Sequence, residues 1–149
     1  VNDDEGGVVW VVGYPGQEAL MTFRTLLVTK ALVCLAFGLL LLLVPVNLLA
    51  TLGAELGTAG TFTAREYGAA LIGALFVMWF AKDVKAPDAR LAILLYLLVY
   101  DAIGVIITVP AVLSGVLNGL GWGIALVYLF FALGAGYVLG QERKRVTAS

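Results

Sequence analysis

Four stretches of about twenty apolar residues, separated by short polar connections, decide what this chain can become. They run from Phe23 to Val44, from about Phe62 to Ala81, from Leu91 to Val109 and from Gly121 to Gly140. Each matches the ~20 residues a helix needs to cross a hydrocarbon core of ~30 Å. The 149 residues are 62% hydrophobic and 13% charged, with a mean hydropathy of +1.02, against about half apolar and about a quarter charged in soluble domains. A soluble fold would have nowhere to place that apolar surface. Within lipid every backbone amide must be satisfied by protein, and a barrel needs at least about eight strands of alternating pattern. The expected fold is all-α, a polytopic four-helix transmembrane bundle over residues 21–149, with Pro45 and Pro110 at the outer ends of helices one and three.

The connections fit hairpins. Residues 45–61 read as a longer loop rich in Gly, Thr and Ala, residues 82–90 as a short charged turn, and residues 110–120 as an uncharged loop. Arg24, Lys30, Lys82, Lys85, Arg90, Arg143, Lys144 and Arg145 fall on one side of this topology and only Arg65 on the other. The positive-inside rule then puts both ends and the middle turn in the cytoplasm. Residues 1–20 form an acidic and aromatic segment, expected to be cytoplasmic or interfacial, with a turn at Tyr14-Pro15-Gly16 and with Trp10 and Tyr14 at the interface. Asp3, Asp4 and Glu5 are the wrong opening for a secretory signal, so cleavage is not expected; alternatively Met21 is the native start.

Small residues mark helix contacts in lipid. Helix two aligns Ala69, Ala70, Gly73 and Ala74, and helix four aligns Ala125, Ala132, Gly136 and Gly140, so Gly73, Gly136 and Gly140 are expected at helix packing faces. Helix one aligns Lys30, Cys34 and Gly38, and helix three aligns Asp101, Gly104 and Thr108. Trp79 and Trp122, near helix ends, fit the aromatic belts.

Asp101 is the strongest single feature. It lies ~14–16 Å from either end of helix three, near the midplane, where an acid is costly and by default functional. Two partners are open to it: Lys30, ~9 Å deep with a long stem, and Tyr128, ~11 Å from the outer face. The group is either an interhelical clamp or a ligand or proton site, with Tyr96 and Tyr100 able to flank a flat ligand. Arg65 and Glu66 open helix two at the outer boundary; they are either snorkelling charges or a polar pair at the bundle mouth, where a headgroup or partner protein could bind.

The chain has no histidine, one cysteine, no phosphate loop, no HExxH and no nucleophile elbow. No metal site, no resident cofactor and no nucleic-acid surface are expected, and catalysis would rest on Asp101, Lys30 or Glu66 alone. The layout from Met21 to Gly140 resembles the small four-helix bacterial membrane proteins grouped as DoxX-like. The resemblance is carried by Phe23-Arg24, by Arg65-Glu66-Tyr67-Gly68 opening helix two, by the turn from Lys82 to Arg90, and by Asn118-Gly-Leu-Gly-Trp122 opening helix four. It implies a four-helix fold and a bacterial cytoplasmic (inner) membrane location; quinone-coupled redox chemistry, known in a few members, finds no cofactor ligands here. Three functions remain open: a non-catalytic structural or accessory subunit of a larger membrane assembly or homo-oligomer, a lipid or quinone binder, and a small proton-coupled transporter using Asp101. The first is the leading expectation.

Overall fold

Thr22 starts the first helix. Its hydroxyl accepts the Thr25 N–H at 3.2 Å, satisfying one of the free amides of the opening turn. The computed structural model describes residues 21–147, which form five helices: α1 (Phe23–Leu43), α2 (Pro45–Thr51), α3 (Thr58–Ala81), α4 (Pro87–Leu113) and α5 (Gly121–Thr147). Four of these, α1, α3, α4 and the Gly121–Lys144 part of α5, are long and apolar enough to cross a membrane. Their outward side chains are apolar too: Phe80 is 79% and Ile106 70% exposed, a surface that lipid solvates and water does not. The segment 1–20, with the turn expected at Tyr14-Pro15-Gly16 and the interfacial Trp10 and Tyr14, lies outside the described residues.

Element boundaries differ from expectation at the prolines and at the charged C-terminal stretch. Pro45 opens α2 instead of a loop, at a first-turn position where its missing N–H has no helical partner to lose. α2 closes on Gly53 at φ +86°, with Gly53 N–H donating to Ala50 O at 3.0 Å and Ala54 N–H to Leu49 O at 2.9 Å. That paired arrangement needs the left-handed backbone glycine adopts freely. Pro110 lies within α4 and forfeits only the bond from its own nitrogen; Ser114 N–H still reaches Pro110 O at 2.9 Å. α5 continues past Gly140 because Gln141 to Arg145 are good helix formers.

The long helices pair as two hairpins. α1 packs on α3 and α4 packs on α5, whereas no Cα of α4 lies within 8 Å of α1 or α3. Glycine sets the first pairing: a Cβ on Gly68 would sit 2.9 Å from both Gly38 O and Leu42 N, so the two backbones touch there. In the second pairing the Tyr128 ring lies on Gly104, and a Cβ on Gly121 would meet Val112 Cγ2 at 2.6 Å. Of the glycines expected at packing faces, Gly73 and Gly140 lie away from these contacts, whereas Gly136 faces Leu98 of α4. A Cβ on Gly73 or Gly140 would meet nothing within 4 Å, and one on Gly136 only Leu98 Cδ1 at 3.9 Å. On α3 the face turned inward instead carries Gly68, Leu71 and Met78, while Ala69, Ala70 and Gly73 are exposed. Ala125 and Ala132 of α5 are buried as the spacing implies.

Large side chains fill the space between the hairpins at the charged end, among them Leu26, Leu27, Met78, Leu94, Leu97 and Phe131. The hairpins are tied at three levels. At the charged end Arg90 of α4 sets its guanidinium carbon 4.1 Å from the centre of the Phe23 ring of α1, held there by Nη2 donating to Glu142 Oε1 of α5 at 2.5 Å and Nη1 to Val84 O at 3.2 Å. Arg24 Nε meets Asp83 Oδ1 at 3.2 Å beside it. At the opposite end Asn118 donates its backbone N–H to Leu52 O at 2.7 Å and its side-chain amide to Thr51 O at 2.8 Å. The third tie, between these two, is polar.

Candidate functional site

Each long helix delivers polar side chains to one level of the molecule: Lys30 from α1, Tyr67 from α3, Tyr100 and Asp101 from α4, and Tyr128 from α5. Lys30 Nζ donates to Asp101 Oδ1, with side-chain exposures of 6% and 0%. Of the two partners open to Asp101, the structure has Lys30. No Cα of α1 comes within 8 Å of α4, so only a side chain as long as lysine closes the gap. The ammonium also lies among three rings, 4.5 Å from the centre of Phe131, 5.1 Å from Tyr100 and 5.8 Å from Tyr128. Ring faces attract a cation, the more so where water is excluded. Among the described residues Asp101 Oδ2 is buried without a hydrogen-bond partner, which leaves the carboxylate dependent on Lys30.

The tyrosines form their own network. The Tyr67 hydroxyl pairs with that of Tyr100 and lies 3.0 Å from that of Tyr128. Tyr128 therefore spends its hydroxyl on Tyr67 and not on Asp101. The Tyr100 ring stacks on Tyr96 at 5.8 Å between centroids and 26° between planes, and meets Tyr128 edge-on at 6.2 Å and 61°. Gly104 fixes the Tyr128 ring, since a Cβ there would sit 2.5–2.6 Å from three ring carbons. Sequence reasoning did not single out Tyr67 as a site residue. The signal was depth: nine residues into α3, hence ~14 Å along the axis, its hydroxyl is carried to the level of Asp101.

Beyond this layer, toward α2, the molecule is hollow. A cavity of about 540 Å³ is floored by Lys30, Tyr67, Tyr100 and Tyr128, walled by residues such as Cys34, Phe37, Leu71 and Val127, and roofed by Leu48, Leu49, Leu52 and Leu56. That volume falls within the roughly 300–1,000 Å³ of small-molecule sites, and an apolar wall with a few convergent polar groups is their usual make-up. Arg65 and Glu66 do not line it. Both are exposed, because the α3 face that turns to the cavity carries Thr63, Ala64 and Tyr67. The expected mouth pair thus points away from the bundle interior.

No family model, curated protein or solved structure matches the chain. The chemistry of the cavity is read from its own groups. Tyrosine hydroxyls both donate and accept, so three of them together can hold a carbonyl or hydroxyl oxygen in either role. The ammonium adds a positive group already neutralised by Asp101. The roofing leucines offer only dispersion and apolar burial, at roughly 25 cal/mol per Å² removed from water.

Proposed function

We propose that this protein is a non-catalytic, membrane-embedded binder of an apolar small molecule with a compact oxygen-bearing head, of the isoprenoid-quinone or lipid class. One observation carries the reading: a cavity with greasy walls and roof whose polar groups gather in a floor of tyrosine hydroxyls and Lys30, with Thr63 beside it. The head would sit on that floor and the chain against the leucines of α2. The stacked Tyr96 and Tyr100 rings favour a flat head. Proton-coupled transport through Asp101 is less well supported, because the carboxylate is fully buried and does not line the cavity.

The same proposal places the protein in a bacterial cytoplasmic membrane as a DoxX-like four-helix protein, with the charged end carrying Arg24, Lys82, Arg90 and Arg143 toward the cytoplasm. The exposed small-residue row Ala69, Ala70 and Gly73 favours a second reading, in which the protein is an accessory subunit held against another membrane helix.

Purification in mild detergent, followed by mass spectrometry of extracted small molecules and of accompanying proteins, tests both. The expected result is one isoprenoid or lipid species near one equivalent per chain, lost from a Tyr100→Phe/Tyr128→Phe variant. Recovery of the same unselected bulk lipids from both proteins would refute the binding reading, and a stoichiometric membrane-protein partner would favour the second.

A further inference from the structure

α3 and α4 are joined by only the five residues from Lys82 to Ala86, yet they part company at once: no Cα of one lies within 8 Å of the other. Helices joined by so short a turn ordinarily pack along their length. Between them runs a groove of about 430 Å³, lined by Ala70, Ala74, Val77 and Met78 of α3 and by Ala92, Ile93 and Tyr96 of α4. It carries no charge. It lies on the face that the bilayer must cover, since Val77 and Tyr96 are both exposed.

This groove and the cavity share one partition. Tyr67 and Tyr100 line the cavity, and their hydroxyls are paired across the gap between α3 and α4. Tyr100 stacks on Tyr96, which lines the groove, and Tyr67 is itself 38% exposed. The hydroxyl of Tyr67, bonded to Tyr100 and Tyr128 and backed by ring stacking, therefore stands between groove and cavity. Toward α2 the roof is held by the two Asn118 bonds to Thr51 and Leu52, and the charged half is filled with large side chains.

We infer that the cavity loads sideways from the bilayer through the seam between α3 and α4, with the groove holding the hydrocarbon chain of the incoming molecule while the Tyr67–Tyr100 pair opens. This rests on the reading of the cavity as a binding site. An apolar molecule is already concentrated in the hydrocarbon phase, so a lateral route spares it a passage through water that an axial route would impose. The groove's place beside the cavity, with Tyr96 of the one stacked on Tyr100 of the other, and its lack of charge identify its occupant as the chain of a bilayer-dissolved molecule.

The test uses the full chain in phosphatidylcholine nanodiscs, with a decyl-substituted benzoquinone as probe and tryptophan quenching followed by stopped flow. Ala70→Phe, Ala74→Phe and, from the opposite wall, Ala92→Phe fill the groove without touching the cavity floor; Asn118→Ala loosens the roof. Groove filling should slow association and dissociation together by about tenfold with the Kd changed less than about twofold, while Asn118→Ala leaves both rates within about twofold. Rates unchanged in all three groove variants, with wild-type affinity kept, would overturn lateral entry and leave the cavity reading standing. Acceleration by Asn118→Ala would overturn it in favour of an axial route. A wild-type protein that does not bind the probe would overturn the cavity reading and lateral entry with it. Circular dichroism and thermal melting identify any variant that has lost its fold, and the remaining two then decide.

Discussion

Removing either half of the Lys30–Asp101 pair should cost far more than removing both. Asp101 has no exposed surface and its second oxygen is already unpartnered, so Lys30→Met leaves a carboxylate with nothing to compensate it. Asp101→Asn leaves an ammonium among Phe131, Tyr100 and Tyr128 with ring faces alone for charge compensation. Breaking a buried pair from one side costs about 3–5 kcal/mol. In the double variant Met packs along the path of the lysine stem, and the remaining defect is one buried amide short of a partner, about 1–3 kcal/mol. The singles would sum to roughly 6–10 kcal/mol if the groups were independent, so a coupling of several kcal/mol is expected between them. Reversible unfolding in mixed micelles with increasing dodecyl sulfate measures all four corners of the cycle. A double variant that falls within about 0.5 kcal/mol of the sum of the singles would refute the pairing as an energetic unit.

Gly68→Ala should destabilise by about 1–3 kcal/mol in the same assay, because the added methyl meets the α1 backbone, whereas Gly73→Ala should stay within about 0.5 kcal/mol of wild type. Gly104→Ala should displace the Tyr128 ring and weaken benzoquinone binding about tenfold, equivalent to about 1.4 kcal/mol, while circular dichroism stays unchanged; unaltered affinity would mean Tyr128 does not serve the floor. In a Cys34→Ser background, Lys85→Cys and Lys144→Cys should resist an impermeant thiol reagent added outside cells, and Gly57→Cys and Gly119→Cys should react. Reversal at any two of these sites would invert the proposed orientation.

The number of helices long and apolar enough to span, and the place of Asp101 midway along its helix, were legible because both depend only on length along the chain. So was the reach of Lys30, since a six-residue offset from Arg24 and a four-carbon stem bring its ammonium to Asp101. The inward faces were less legible. A helix that is apolar all round carries no stripe to distinguish lipid from protein, and α3 offers two rows of small residues. Ala69 and Gly73 form the more regular one, but Gly68 alone meets a backbone, at Gly38, and it sets the rotation that exposes the other row. That rotation carries Tyr67 to the cavity and Glu66 away from it. α2 was hidden for a different reason: Pro45 signals an end and a beginning equally well, and Leu48, Leu49 and Leu52 could be assigned to a roof only once there was a space beneath them.

The pairing of helices also sets an order of assembly. The chain is made from its N-terminus, so Lys30 enters the bilayer with α1 well before Asp101 exists, and the glycine contact between Gly38 and Gly68 can close α1 on α3 while that lysine is still alone. Until α4 arrives, its ammonium is best accommodated by extending back along α1 to the interface from which it is ~9 Å deep. Docking of the second hairpin then offers an acid midway along α4 and draws the cation inward. A first hairpin made without its successor would carry an exposed or stranded lysine, a mark by which membrane quality control could tell the half-made molecule from the finished one.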